Sequence, residues 1–562
     1  MPRLHRFATS FFVIVSTWLI AGCTAPAASP PTATPAPVAT AVPAPSPTST
    51  DGFAWWNDAV FYEVFVRSFY DSNGDGIGDL NGLIQKLDYL NDGNPNTKTD
   101  LGVTALWLMP IQPSPSYHGY DVTDYYQVNP QYGTLDDFKR LMAEAHKRGI
   151  YVVTDFVMNH TSNEHPQFVQ SQDPQSPYRD WYLWSDSDPG GAGPWGETIW
   201  HPGPQGGYYY GVFWEGMPDL NYKNPAVVTE MEKVTRFWLT DMGVDGFRVD
   251  GARYVVEDGK VLADSPGNHE WFKQFRTFYK AVNPNAMTVG EVWTSNNAVA
   301  QYAQGDQLDM VFDFDLAGAL VSSVKSGSAD AARIGLVLAT KLLPTTHVAN
   351  FLTNHDMDRV MVALDGDVNK AKRAATLLFM APGTPFIYYG EEIGLVGQKP
   401  DEDIRLPMQW SAAANAGFTT GAPWRAPAAD YAAKNVAAEM TDANSLWAHY
   451  QALIAVRQAN PALRNGDGFK VQSSNAGVLA LVRASADQIV LVVNNLRDEP
   501  VSDYRLTMET GPLVGGGTYA ISPIWGNGPF ANPSLNAGGG FADYQPTATL
   551  APGETLMLEL VK

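Results

Sequence analysis

The most regular feature of this chain is a short apolar run followed by a polar or amphipathic stretch, repeated many times. The runs are AVFYEVFVRSF (59–69), VTALWLMP (103–110), YVVTDFVMNH (151–160), GFRVD (246–250), MTVGEVW (287–293), DMVFDFD (309–315), HVANFLTNHD (347–356) and TPFIYYGEE (384–392). Near-continuous apolar runs of this length mark strands buried on both faces, as in parallel sheets. Helical periods lie between them, seen in TLDDFKRLMAEAHKRG (134–149) and PAVVTEMEKVTRFWLTDMG (225–243). Thr134 and Asp137 make a capping box at the start of the first helix, and Gly149 stops it. Eight strand–helix units predict an α/β fold closed into a (β/α)8 TIM barrel. A doubly wound open sheet is the alternative, but no phosphate-binding glycine fingerprint follows the first strand.

The spacing breaks once. Asp155 and Asp250, at the ends of strands three and four, stand 95 positions apart, where a βα unit needs roughly 30 to 45 residues. The surplus predicts a subdomain B inserted after strand three, residues 159–224, rich in Trp, Tyr, Gly and Pro and without helical period. Its aromatic segment (178–214) has the composition to wall a binding cleft, although each Trp alone reads as subdomain core, and no residue of it is singled out. Residues 463–562 alternate polar and apolar positions between glycine turns and predict a C-terminal antiparallel β domain. The barrel takes 53–158 and 225–462.

The start of the chain reads differently. Arg3 and Arg6 precede an apolar run, Phe11 to Ile20, and then Ile20-Ala21-Gly22-Cys23. This resembles the lipobox of a bacterial lipoprotein, so residues 1–23 are expected to be a signal segment with Cys23 as the lipidated residue. Residues 24–52, nearly all Ala, Pro, Thr and Ser, form an extended tether that cannot bury apolar area. The expected location is extracytoplasmic, held to the cell membrane by the lipid alone or secreted.

Composition narrows the function. The formal net charge of −22 over 562 residues argues against binding nucleic acid or an anionic membrane surface by charge. Cys23 is the only cysteine, which excludes disulfides, cysteine metal sites and a cysteine nucleophile. Aromatics reach 12% with only 17% charged residues, a balance suited to stacking on flat, uncharged ligands. HEWFK (269–273) lacks the second histidine of a metalloprotease motif.

Barrel enzymes carry their working groups at the C-terminal ends of the strands. Here those ends hold Arg248 and Asp250, then Glu291, then His355 and Asp356. Two facing carboxylates suit cleavage of a glycosidic bond, one as nucleophile and one as acid and then base. Arg248 lies two residues before Asp250, on the same face of the strand, and would keep it ionised. Glu291, desolvated beside two other acids, is expected to titrate high.

The segments DFVMNH (155–160), GFRVDGARY (246–254), GEVW (290–293) and FLTNHD (351–356) resemble the four signature regions of glycoside hydrolase family 13, the α-amylase family. The resemblance implies a barrel with subdomain B and a C-terminal β domain, and α-glucan hydrolysis with retention of configuration. It makes Asp250 the nucleophile, Glu291 the general acid/base and Asp356 the transition-state stabiliser. It sets His160, Arg248 and His355 around the sugar being cleaved, with Tyr120 of YHGYD as the platform beneath it. MPDLN (217–221) resembles the group between oligo-1,6-glucosidases and neopullulanases, and IRLPMQW (404–410) recurs in glucosidase-like relatives. Asp401 and Arg405 are expected at a more distant subsite. Tyr254 stands where many members carry a histidine beside a calcium shared with the residue matching Asn159, so that second calcium lacks a usual partner.

DSNGDGIGDL (71–80) spaces oxygen ligands as a calcium loop does: Asp71, Asn73, Asp75, the Ile77 carbonyl and Asp79, with Gly76 sixth. An EF-hand needs a glutamate at position twelve, and Gly82 stands there. The loop also follows a strand. It resembles the calcium loop of the oligo-1,6-glucosidase side of the family, and the expected cofactor is Ca2+, pinning the first βα loop. The reading is therefore a monomeric α-amylase-type hydrolase acting on starch or maltooligosaccharides. An exo-acting α-glucosidase, oligo-1,6-glucosidase or sugar-transferring relative is the nearer alternative. A non-catalytic glucan-binding protein is the more distant one.

Overall fold

The computed structural model describes residues 52–562. The signal segment, Cys23 and almost all of the tether lie outside the described residues. Eight parallel strands close into a barrel: β1 (Phe61–Val64), β2 (Ala105–Leu108), β3 (Tyr151–Phe156), β4 (Gly246–Val249), β5 (Met287–Gly290), β6 (Met310–Phe312), β7 (Val348–Asn350) and β8 (Thr384–Tyr388). Each pairs with its neighbours in chain order, and β8 closes on β1. Every residue of these strands is buried, because helices cover one face and the barrel interior the other.

The two faces share the apolar residues alternately. Phe61, Trp107, Val153, Val289 and Phe312 pack together inside the barrel, while Tyr62, Leu106, Val152 and Val311 face the helix layer. That alternation is the period-two geometry of a strand. Glu63, Asp155 and Arg248 have the inward parity, so the barrel filling turns from apolar to charged towards its C-terminal mouth. The helix Leu135–Lys147 has both halves of the capping box at Thr134 and Asp137, and buries Phe138, Leu141, Met142 and Ala145 along one stripe.

Between β3 and β4 the chain makes a three-stranded antiparallel sheet of Trp184–Ser185, Trp200–Pro202 and Tyr208–Tyr210. A short helix, Pro166–Ser171, precedes it. After the barrel, seven antiparallel strands running from Asp467–Ser473 to Thr555–Val561 form one sheet. Among the described residues, no helix is long and apolar enough to cross a membrane.

Candidate active site

Asp250 is the first residue beyond β4, and Glu291 the first beyond β5. His355 and Asp356 follow β7 on the loop at the same mouth. The side chains of Asp250, Glu291 and Asp356 are 13%, 17% and 27% exposed, so a ligand in the mouth reaches all three.

Arg248 holds the first two together from below. Its Nη1 donates to Asp250 Oδ1 at 2.6 Å, and its Nη2 to Glu291 Oε2 at 2.8 Å. The Gly251 amide donates to the same Glu291 oxygen at 3.1 Å. One planar guanidinium therefore spans both carboxylates and fixes their spacing. Burial raises the Glu291 pKa; Arg248 opposes this, while Asp250 and Asp356 add to it.

Asp356 has the opposite environment. Burial works against its ionisation, but His355 and then Arg405 outweigh it and hold the carboxyl well below the usual carboxylate range. His355 Nε2 lies 3.1 Å from Asp356 Oδ2, and its Nδ1 lies 2.5 Å from Glu63 Oε1. Burial disfavours the imidazolium, yet Asp356 and Glu63 push its pKa up to about 9. It is therefore charged at neutral pH and donates at both nitrogens.

Tyr120 lies nearly parallel to His355, ring centroids 5.5 Å apart at 13°. Its hydroxyl sits 2.6 Å from His355 Nε2 and donates to Asp155 Oδ2 at 3.1 Å. Burial, then Asp155, keeps this phenol protonated. His160 Nε2 donates to the Tyr120 carbonyl at 3.1 Å, and burial lowers the imidazole's pKa.

Arg405 is placed differently from the sequence expectation. It is 2% exposed and lies directly on Asp356, with Nη2 3.0 Å from Oδ1, not out at a distant subsite. The same nitrogen holds Asp401 at 3.2 Å. Two further acids escaped the sequence reading. Asp155, in register with Arg248 on the neighbouring strand, accepts from its Nη1 at 2.9 Å. Glu63, inside β1, is the acid behind His355. The signal for both was an acid at an inward position of a buried strand.

The 71–80 segment is wound by its own side chains. Asp71 Oδ1 accepts from the Asn73 and Gly74 amides, and Oδ2 from the Gly76 amide at 2.8 Å and from Thr419. A Cβ on Gly82 would lie 1.9 Å from the Tyr70 carbonyl oxygen, so the glutamate of an EF-hand has no room there. The five-oxygen donor set has the chemistry of a hard cation site. Asp79, however, is engaged by the Ser72 amide and the Gly82 amide as the cap of Leu80–Gln85. Among the described residues, no three His, Asp or Glu side chains gather as a metal centre. The helical turn Val66–Phe69 separates β1 from this loop, where the apolar run 59–69 predicts one continuous strand.

Near Asn159, the Tyr254 ring packs in an apolar cluster with Ile199, Tyr210 and Val212. Asn159 Oδ1, Asp219 Oδ2 and Glu257 Oε1 are buried there without hydrogen-bond partners. Burial, then Glu257, raises the Asp219 pKa, and burial pushes Glu257 up to about 7.

Comparison with known proteins agrees with this architecture. The family profile described as the alpha-amylase catalytic domain matches residues 63–466. Alpha-amylase 3 of Dictyoglomus thermophilum is 41% identical over 453 residues, covering 79% of this chain and 85% of that protein. An oligo-1,6-glucosidase of Heyndrickxia coagulans is 33% identical over 531 residues, covering 80% of this chain and 93% of that protein. The crystal structure of an alpha-amylase from H. orenii is 40% identical and superposes with a TM-score of 0.76, covering 89% of this chain and 99% of that one. With a closed barrel whose mouth carries paired acids, and with likeness of this extent, the chain belongs to the alpha-amylase family and is a glycoside hydrolase.

Proposed function

We propose that this enzyme is a retaining α-glucan hydrolase of α-amylase type, cleaving α-1,4-glucosidic bonds of starch or maltooligosaccharides. The observation that carries the reading is the Arg248 guanidinium spanning Asp250 and Glu291. It holds the two acids side by side at the mouth, where burial and then the Asp250 and Asp356 charges raise the affinity of Glu291 for a proton against the pull of Arg248. Asp250 is paired at close range and serves as the carboxylate; Glu291, raised by burial, starts as the acid.

In the first step an Asp250 oxygen attacks the anomeric carbon, and Glu291 gives its proton to the departing glycosidic oxygen. The bond from carbon to that oxygen breaks, and the leaving sugar departs with the proton. In the second step Glu291, now a carboxylate, takes a proton from water as the water oxygen attacks the same carbon. The ester to Asp250 breaks and the configuration is retained. Asp356, kept ionised by His355 and Arg405, faces the positive charge that develops on the sugar. Tyr120 supports the sugar ring from below; His160 holds its backbone carbonyl, and His355 holds its hydroxyl and Asp356 in place.

Endo-action on α-1,4 bonds follows the reading nearest the alpha-amylase relatives; the 33% identical oligo-1,6-glucosidase keeps exo-action as the alternative. Product analysis decides. Maltoheptaose is expected to give mixed short maltooligosaccharides from the earliest time points, whereas glucose as the sole early product would show an exo-enzyme. The MPDLN segment supports placement between oligo-1,6-glucosidases and neopullulanases.

We also propose that Asp71, Asn73, Asp75, the Ile77 carbonyl and Asp79 hold Ca2+, which supplies rigidity to the first βα loop and takes no part in the reaction. The spacing of the five oxygen donors supports it. EDTA is expected to lower Tm by about 2–4 °C, restored by added Ca2+; a Tm indifferent to both removes the metal. The enzyme is proposed to act as a monomer outside the cytoplasm, anchored through lipidated Cys23.

A further inference from the structure

Trp195 is 63% exposed, the most exposed large apolar side chain among the described residues. The local structure keeps this indole in water. The Glu197 carboxylate accepts from the Trp195 amide at 2.9 Å, and the Gly193–Gly196 turn closes beneath it at 3.0 Å. The ring is therefore presented on a built turn.

Its neighbours lead to the reacting groups. Trp195 lies over Phe213, centroids 5.8 Å apart at 29°, and 5.6 Å from Tyr254. Phe213 is 5.2 Å from His160, and a Cβ on Gly251 would lie 2.9 Å from its ring. Gly251 follows Asp250 and donates to Glu291. The aromatic wall thus starts beside the two carboxylates and ends at Trp195 on the rim. It stands on the Glu291 side: Gly251, against which Phe213 packs, donates its amide to Glu291, and the Arg253 guanidinium, 5.6 Å from the Tyr254 ring, bonds the carbonyl of Trp293, two residues beyond Glu291. A second exposed indole lies two residues beyond Glu291. Trp293 is 47% exposed, lies on Phe314 at 4.5 Å and 11°, and has its carbonyl held by Arg253 at 2.9 Å.

We propose that Trp195 is the platform for a glucose unit on the leaving-group side of the scissile bond, and so sets how strongly long α-glucans are preferred over short donors. The inference rests on the α-glucan reading above. The group that protonates the leaving oxygen faces the departing sugar, so a wall on the Glu291 side meets that part of the chain. A glucose ring offers an apolar C–H face matched to the free face of an indole.

Two substrates separate this from a structural role. Maltoheptaose needs leaving-side subsites, whereas α-glucosyl fluoride, with fluoride as leaving group, fills none. In the full-length protein, Trp195→Ala is expected to lower kcat/KM on maltoheptaose about tenfold, equivalent to about 1.4 kcal/mol, chiefly through KM. The rate on α-glucosyl fluoride should stay within about twofold, and Trp195→Phe should recover most of the loss. Unchanged maltoheptaose kinetics, or equal losses on both substrates, overturn the platform alone. Wild-type enzyme that cleaves the fluoride but not maltoheptaose overturns the α-glucan reading and the platform with it.

Discussion

Replacing Asp250 by asparagine is expected to reduce starch hydrolysis by at least about 10⁴-fold, the order of loss seen when a covalent nucleophile is removed. The amide has the size of the carboxylate, so packing at the mouth is preserved. Arg248 can still donate to the remaining carbonyl oxygen, and it keeps its hydrogen bonds to Asp155 and Glu291. Tm should consequently move little, which separates chemical loss from unfolding. An asparagine variant retaining more than a tenth of wild-type activity would remove Asp250 from the chemistry.

The second large effect concerns Glu291. Glu291→Gln cannot donate a proton to the leaving oxygen, and kcat/KM on maltoheptaose should fall by about 10²–10⁴-fold. Fluoride leaves without a proton. With α-glucosyl fluoride, the first fluoride released per enzyme should therefore appear at near wild-type speed. Turnover then stalls, because no carboxylate activates water for the second step. The pH profile carries the same assignment. The working form of Glu291 is protonated, so wild-type activity is present below its raised pKa and is lost as pH climbs through it. The glutamine variant should lack that alkaline limb. A limb that persists with the same midpoint would assign the acid to another group.

Much of this was legible in the sequence because the barrel has a strong period. Buried parallel strands leave near-continuous apolar runs, and the residue just beyond each run falls at the mouth. Asp250 and Glu291 could be read that way from their neighbours. Asp155 and Glu63 could not, since each lies inside its run and looks like a blemish in an apolar strand. Only the register shows Asp155 beside Arg248, and only closure of the barrel brings Glu63 to His355, 292 positions away. The run at 59–69 was read as one strand, whereas the chain has β1 and then a helical turn; short apolar runs do not distinguish the two. In the insert, strands of two and three residues have no period to detect, so Trp195 gave no signal among many tryptophans. Arg405 was misplaced because its partner, Asp356, lies 49 positions earlier, across a fold in the chain.

The central claim is that Asp250 forms a covalent bond with the sugar. It is tested by incubating the enzyme with a 5-fluoro-α-glucosyl fluoride, which slows the second step more than the first, and mapping the labelled peptide by mass spectrometry. The account predicts one added glycosyl residue per protein, on the peptide carrying Asp250. A label on Glu291 or Asp356, or turnover with no covalent adduct, would contradict it.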